Sequence, residues 1–534
     1  MFFKNAIIKL SMVSFRPLSS LAGYLISSLE EQNPHVQEER RITVNPIVTK
    51  FAFWYEKLRN AMEFREDEVI LRNTIERILK RRLLLGGNGK TTAKPLVKEL
   101  LWARYLPEND IGESVAQRVE QTIDLYLSLR LRVLAKYKLP ESDINDWTYD
   151  LMSADIQYIL NSKRSKELIT NFMFHVLKDD VMIEDEPAET KNAQVFIAVR
   201  RTFARDDLAF LRYHLFCQYF GRLTAKTLDY TVDHFVEGYR EIHKQMNYVG
   251  RERVYTYVKR RTAAFFIFED ILGIDKENLK TILENEESLR EIVFEACETR
   301  YKSISSRVRT AIIRSVIFIL LTKVAFAFFV EGTYEKVFYG HVIWTSIIIN
   351  TSIPPLLMVI VGLLIRTPGQ ENSEMIFTYI TRLLYDEDPV LGNKLMISKP
   401  KTEKGFVTVF NILWLLAFMI SFGAIIYVLS QLHFNLISEA IFIFFLAIVS
   451  FLSYRISLLA NVYRVGEKQG IGTLMVDFFF MPVIRVGRKL TQGIQKINIF
   501  LMLFDFFIEA PFKFLFAFFD QWFYFLHDKT EELE

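Results

Sequence analysis

Residues 406–430 read FVTVFNILWLLAFMISFGAIIYVLS, a run of apolar and small polar side chains without a charged residue. At about 1.5 Å per residue, a helix of this length covers the ~30 Å hydrocarbon core of a bilayer. Three further segments have a similar length and composition: 311–330, 341–365 and 436–460. The sequence therefore predicts a multi-pass membrane protein with four transmembrane helices.

The 534-residue chain is rich in apolar side chains and poor in residues that break helices. Hydrophobic residues make up 51% of it, whereas glycine numbers 21 and proline 14. Scarce glycine and proline favour long helices over the many turns of a β protein. Between residues 40 and 310, apolar residues recur at helical spacing among many charged ones, which predicts a large helical domain. The predicted fold class is all-α, with this domain preceding the four-span bundle at 311–460.

Lysine and arginine are distributed unevenly among the segments that flank the predicted spans. The segments 300–314, 366–404 and 464–496 each contain five or six lysine and arginine residues, whereas 331–340 contains only Lys336 and 431–435 contains neither residue type. Because basic flanks stay in the cytoplasm, both termini and the helical domain are predicted to be cytoplasmic. The cell (inner) membrane fits this arrangement best.

Residues 1–30 combine basic charge with apolar and serine side chains. Lys4, Lys9 and Arg16 precede the first acidic residue, Glu30. This composition predicts an amphipathic basic helix that lies on an anionic membrane face or packs on the helical domain. It is also typical of an organellar transit peptide, in which case the membrane would be an organellar one.

The segment 83–92, LLLGGNGKTT, raises the question of a phosphate-binding loop and an NTPase. Such a loop requires a glycine five positions before the glycine of Gly-Lys-Thr, and Leu84 occupies that position. The preceding residues are charged at helical intervals, although the motif should follow a β-strand. We expect Gly86 to end one helix in a left-handed conformation and Thr91 or Thr92 to cap the next. The segment is interpreted as a helix connection, not as a nucleotide site.

No other pattern predicts catalysis, a cofactor or a metal. The spacings HExxH, HxxxH, ExxH and GxSxG are absent from the sequence, so helical metal signatures and a nucleophile elbow are missing. A net charge of +3 gives no electrostatic case for nucleic acid. The sequence therefore predicts a lipid bilayer and protein partners, without a catalytic residue, cofactor, metal or nucleic acid.

A few polar residues occur where lipid would penalise them. Lys323 lies midway along the first span, where an unpaired charge is costly. In the second span, Pro354 and Pro355 follow Asn350, and a proline pair frees backbone carbonyls that polar side chains can satisfy. Glu439 opens the fourth span. We interpret these five residues either as an internal network, with Asn350, Glu439 or a carboxy-terminal acid as the partner of Lys323, or as the lining of a transport path.

Residues 471–534 are apolar yet contain regularly spaced polar side chains. On a helix that turns ~100° per residue, five polar side chains fall within one narrow sector and form a polar seam: Asn498, Asp505, Glu509, Lys513 and Asp520. The other residues are largely apolar and aromatic. We therefore expect re-entrant or interfacial helices whose seam faces water or the bundle.

These features favour a non-enzymatic membrane scaffold or anchor whose cytosolic domain binds protein partners. The alternative is a transporter or channel component that uses Lys323 and the kink at Asn350–Pro355. Four spans without internal symmetry are few for a self-sufficient secondary transporter, an objection that a homo-oligomeric channel escapes. An enzyme ranks third, because GGNGKTT is the only segment that resembles a catalytic motif.

Overall fold

The architecture is taken from a computed structural model. It describes residues 16–30, 67–84, 86–107, 111–161, 163–184, 186–274, 279–340, 344–398, 404–432, 434–466 and 480–491, with isolated positions at 42, between 49 and 57 and between 515 and 526. These residues are nearly all helical, as predicted. The chain forms two compact units. We call residues 20–259, 392–397 and 499–534 the helical domain, and residues 1–19, 260–391 and 398–498 the membrane unit.

The helical domain packs amphipathic helices around one apolar core. In chain order its described elements are α1 (Ser20–Glu30), α2 (Asp67–Leu84), α3 (Gly89–Trp102), α4 (Glu113–Lys136), α5 (Glu141–Leu160), α6 (Arg164–Leu177), β1 (Val181–Ile183), α7 (Ala188–Val199), α8 (Leu208–Phe220) and α9 (Leu228–Met246). Ile75, Leu100, Ile123, Met152 and Phe216 are among its fully buried side chains. Helix α10 (Arg251–Leu272) follows, and the boundary between the two units falls within it.

The GGNGKTT segment connects two helices. Gly86 adopts a left-handed conformation with φ +83° after α2, as expected. The amino-terminal cap of α3 is Asn88, not Thr91 or Thr92: the Asn88 side chain accepts from the Thr91 N–H at 3.0 Å, and the Thr91 hydroxyl accepts from the Asn88 N–H at 3.0 Å. The two residues together satisfy two amino-terminal N–H groups, so the helix begins three residues earlier than a Thr91 cap would allow. A helix precedes the glycines, where a phosphate-binding loop would require a strand.

A short parallel sheet joins two distant parts of the helical domain. Strand β1 pairs with β2 (Leu395–Ile397), with Val181 opposite Leu395 and Ile183 opposite Ile397. The Leu395 N–H donates to Asp180 O at 2.8 Å, and the Glu184 N–H donates to Ile397 O at 2.9 Å. The acidic segment 179–186 thus contains a strand, and its partner comes from the connection between the second and third predicted spans.

The membrane unit is dominated by long apolar helices. Its described elements are α11 (Leu279–Glu284), α12 (Glu286–Phe326), a π-turn (Ala327–Glu331), α13 (Gly332–Tyr339), α14 (Trp344–Leu364), α15 (Gln370–Tyr385), α16 (Lys404–Gln431) and α17 (Leu436–Ala460). Residues 480–491 are also helical. Four helices in the described part are long and apolar enough to cross a membrane: Glu286–Phe338, Ile347–Leu364, Thr408–Gln431 and Leu436–Ala460. The prediction of four membrane-spanning helices is confirmed at this level of length and composition.

A polar belt joins the non-spanning ends of the membrane unit. The Asn372 side chain, on α15, donates to the Tyr301 hydroxyl and to Tyr463 O, both at 2.7 Å, and it accepts from the Val465 N–H at 2.8 Å. One buried amide therefore links α12, α15 and the segment that follows α17. Because α12 contains neither glycine nor proline over its 41 residues, the helix runs uninterrupted from this belt into the first span.

Candidate functional site: a buried polar cluster between the spanning helices

Lys323 lies at the centre of a polar cluster inside the membrane unit. Its ammonium donates to Glu331 Oε1 at 3.0 Å, and both side chains are almost completely buried, at 0% and 1% exposure. The ammonium also lies 4.8 Å from the centre of the Phe445 ring on α17, a cation–π distance. Two opposite charges and an aromatic face thus compensate each other where an isolated charge would be expensive.

The π-turn makes this pairing possible within one continuous helical segment. In an uninterrupted α-helix, residues eight positions apart lie about 80° from each other around the axis. Ala327–Glu331 form a wider turn, in which each residue advances less around the axis. This reduces the angle and brings Glu331 onto the face that carries Lys323. The turn therefore positions the carboxylate.

Asn350 extends the cluster from the first span to the second and fourth. Its side-chain nitrogen donates to Glu331 Oε1 at 2.9 Å and approaches Ser438 O at 3.4 Å. Pro354 and Pro355 lie within α14. Since proline has no N–H, the carbonyls of Asn350 and Thr351 lack their usual α-helical donors. The proline pair and the amide are therefore parts of one locally polar section of α14.

A second acid is buried one turn beyond Glu331. Glu335 is completely buried, and its Oε1 accepts from the Asn435 side chain at 3.2 Å. Asn435 also caps α17, since its Oδ1 accepts from the Ser438 N–H at 2.8 Å. The start of the fourth span thus contacts Glu335 directly, through Asn435. It contacts Glu331 indirectly, because Ser438 O contacts Asn350, which donates to Glu331.

Several acceptors in the cluster are buried without a hydrogen-bond partner. They are Glu331 Oε2, Asn350 Oδ1, Thr351 Oγ1 and Ser438 Oγ. Buried polar atoms of this kind are uncommon in folded proteins, and their concentration in one place calls for an explanation such as a bound water or ion. The cluster is thus chemically suited to small polar guests as well as to an internal ion pair.

The structure brings together some of the predicted bundle residues and separates others. Lys323 and Asn350 meet through Glu331, which was not among the candidates, and Pro354 and Pro355 lie one turn further along α14. Glu439 is half-buried in the first turn of α17, and within the described residues no hydrogen bond joins it to Lys323. The polar seam of Asn498, Asp505, Glu509, Lys513 and Asp520 lies outside the described residues.

A second polar cluster, which the sequence analysis did not identify, lies in the helical domain. A π-turn at Arg200–Ala204 ends α7, and Arg205 follows in a left-handed conformation with φ +60°. The Arg200 guanidinium donates to both oxygens of Glu167, at 2.7 and 2.8 Å, and to Asp206. His214 Nε2 lies 3.6 Å from Asp206 Oδ2. These groups line a recess between α5, α6 and α8.

Burial dominates the electrostatics of this second cluster. It raises the pKa of Asp206 to about 6, although Arg200 opposes the shift. Burial and the neighbouring Arg200 together hold the pKa of His214 well below its usual value. Burial alone would lower the pKa of Arg200, but the carboxylates of Asp206 and Glu167 outweigh it and raise that pKa. No residue spacing in the sequence marks this cluster, because three separate helices supply its members.

The side chains of the two clusters are not arranged as in a metal centre. Over the part of the chain that the structure describes, no group of three or more histidine, cysteine, aspartate or glutamate side chains is arranged to hold a metal ion. Comparison with known proteins gives one result. No protein family, curated protein or solved structure matches this chain.

Proposed function

We propose that this chain is a non-enzymatic membrane scaffold, anchored by its four apolar helices, whose helical domain binds protein partners. The observation that carries the proposal is the burial of the polar side chains in the bundle. Lys323, Glu331 and Asn350 are at most 1% exposed, and Lys323 and Asn350 both donate to Glu331 Oε1. A network of this kind favours a role in holding three spans in register, in the way that buried polar groups fix the pairing of helices in other proteins.

Topology supports the same proposal. A backbone hydrogen bond cannot cross a bilayer, so Asp180 and Leu395, whose backbone atoms are bonded, belong to the same side. The connection between the second and third spans therefore shares a compartment with the helical domain. The basic flanks favour the cytoplasm for that compartment, which would make the domain available to cytosolic partners.

Transport is the second function, and a specific observation favours it. The unpartnered acceptors of Glu331, Asn350, Thr351 and Ser438 are grouped beside a lysine–glutamate pair. Oxygen atoms of this kind inside a membrane could coordinate water or a small cation, and ionisable residues within spans commonly mark ion or proton pathways. The two functions differ in one measurable property, which is flux.

Flux through the purified protein separates the two functions. The full chain is reconstituted into liposomes that contain a pH-sensitive dye, and separately into liposomes loaded with sodium or potassium. A scaffold gives the proton and cation leak of protein-free liposomes. A flux above that background that disappears in Lys323→Met, with folding intact, would establish transport and overturn the scaffold proposal.

Position-dependent crosslinking tests the proposal that the helical domain binds a protein partner. Helices α4 and α9 carry the exposed apolar residues Leu131 and Tyr230 beside an ion pair between Lys136 and Asp233 at 2.7 Å. A photo-crosslinking amino acid at Leu131 or Tyr230 should give one reproducible adduct in native membranes, and the same probe at the exposed Asp179 should not. Adducts of equal intensity at all three positions, or at none, would contradict a partner on this surface.

A further inference from the structure

A partly open cavity of about 420 Å³ lies where the first span ends and the second begins. The π-turn and α13 form one wall, with Ala327, Gly332 and Val337, and the start of α14 forms the other, with Trp344 and Ile347. Ala327 and Ile347 are buried, whereas Val337 and Trp344 are exposed. The cavity volume falls within the range of small-molecule sites, and its wall is predominantly apolar.

The surroundings of the cavity indicate what reaches it. Three exposed phenylalanines lie on the segment Glu286–Phe338, which is long and apolar enough to cross a membrane: Phe328, which also lines the cavity, Phe329 and Phe338. Large exposed apolar side chains on a spanning helix face lipid, and tryptophan is enriched at the headgroup level. The opening is therefore accessible to acyl chains from the bilayer.

Charge at the rim of the cavity is positive. Lys336 lines the cavity and is exposed, and within the described residues it forms no ion pair. Its acidic neighbour Glu335 is completely buried and bonds to Asn435 in the bundle interior. The two adjacent charges thus point to different environments, and the lysine ammonium remains available to a phosphate. Lysine near a membrane surface attracts anionic lipid headgroups.

We propose that this cavity binds one phospholipid from the leaflet at the α13 end of the first span. An acyl chain lies against Ala327, Gly332 and Ile347, and the phosphate accepts from the Lys336 ammonium. The apolar wall suits the acyl chain, and Lys336 at the rim suits the phosphate. Trp344 belongs to the residue type that is enriched between them, at the headgroup level. This site requires insertion into a membrane, but it does not depend on the scaffold function.

The binding test uses the full chain in mild detergent, stripped of lipid and titrated with phosphatidylglycerol under native mass spectrometry. One phosphatidylglycerol should bind more tightly than the rest, and Lys336→Gln should weaken that binding about fivefold, the effect of one lysine near a membrane surface. Lys302→Gln, which removes an exposed lysine of α12 outside the cavity, should bind as the unmodified chain does. Equal binding by Lys336→Gln and the unmodified chain, or equal binding of phosphatidylglycerol and diacylglycerol, would overturn the assignment of the phosphate to Lys336.

A second pair of variants tests the apolar wall. Thr333→Phe adds bulk at the cavity and should abolish the tight site, whereas Val330→Phe adds comparable bulk to an exposed position that does not line it. In bilayers that contain brominated phosphatidylglycerol, the quenching that is lost on Trp344→Phe should be weaker in Thr333→Phe than in Val330→Phe. If Thr333→Phe retains both the bound lipid and the Trp344 quenching, the cavity is not a lipid site.

Discussion

The Lys323 ammonium and Glu331 Oε1 are 3.0 Å apart, although the two residues are eight positions apart in one helical segment of the first span. Removing either partner leaves the other charge buried without an oppositely charged partner. Lys323→Met and Glu331→Gln should therefore each lower the free energy of unfolding by about 3 kcal/mol. The double variant Lys323→Met/Glu331→Gln should recover most of that loss, because it removes both charges.

Thermal unfolding in detergent measures this coupling. The surface variant Lys302→Met, which disrupts only an exposed pair with Glu298, should change stability by less than about 0.5 kcal/mol. Additive losses in the double variant would contradict a direct interaction between Lys323 and Glu331.

The parallel pairing of β1 with β2 predicts a specific crosslink. Met182 and Met396 are register partners, and both are exposed. Met182→Cys/Met396→Cys should form an intramolecular disulfide under mild oxidation, detected as linked fragments after proteolysis between the two positions. Met182→Cys/Leu395→Cys is the matched control, because a shift of one residue places the second side chain on the opposite face. A crosslink of equal yield in the control would exclude the observed register.

Membrane topology can be tested independently of the fold. The alternation of basic flanks predicts that reporters fused after residues 300, 385 and 470 lie in the cytoplasm and that one at residue 335 lies on the opposite side. The hydrogen bond between Asp180 and Leu395 requires the helical domain and the 366–404 connection to report the same compartment. Opposite reports from these two segments would refute both the crossing count and the strand pairing.

The buried Asp206 carboxyl predicts a pH dependence of stability. Its pKa rises from 3.8 to about 6 on folding, so the folded state holds an extra proton between those pH values. The stability that this proton contributes is present below pH 3.8 and is lost as pH rises through about 6, by about 3 kcal/mol in total. Glu167, Arg200, Asp207 and His214 are the charged and titratable groups around it.

The measurement is the difference in Tm between the unmodified chain and Asp206→Asn from pH 4.5 to 8. As pH rises through 6, the Tm of the unmodified chain should fall relative to that of Asp206→Asn. His214→Asn should show the opposite slope, because a histidine with a lowered pKa contributes stability above its unfolded pKa of about 6.5 that is lost as pH falls. A pH-independent difference for both variants would mean that neither group changes its protonation on folding.

In the helix connection at Gly86–Thr92, we expect Gly89 to be needed for stability and Lys90 to contribute little to stability. A Cβ on Gly89 would lie 2.4 Å from Glu120 O and 2.7 Å from Asp124 Oδ2, so Gly89→Ala should cost about 1–3 kcal/mol through overpacking. Lys90 is exposed, and Lys90→Ala should be neutral. Equilibrium dialysis should detect no ATP binding to the unmodified chain or to either variant. Micromolar binding that Lys90→Ala removes would instead identify a nucleotide site.

The spanning helices were predictable because hydropathy depends on local composition alone. The pairing of Lys323 with Glu331 was not predictable from the sequence, because it requires a π-turn that rotates the carboxylate onto the lysine face. No residue type between the two predicts such a turn. Asn88 displaced the expected threonine cap because Asn88 and Thr91 satisfy each other's N–H groups. The cluster of Arg200, Asp206 and His214 depends on the packing of distant helices, which periodicity does not encode.

The location of Lys323 and Glu331 in one segment has a consequence for biogenesis. If a span enters lipid before its neighbours have been synthesised, a lone lysine within it has no partner to offset its charge. Here Glu331 follows Lys323 by eight positions in the same segment, so the first span contains both members of the ion pair. Asn350 contacts Glu331, and Ser438 contacts Asn350, from segments that are synthesised later. We therefore expect the first span to insert into the membrane before the fourth has been synthesised.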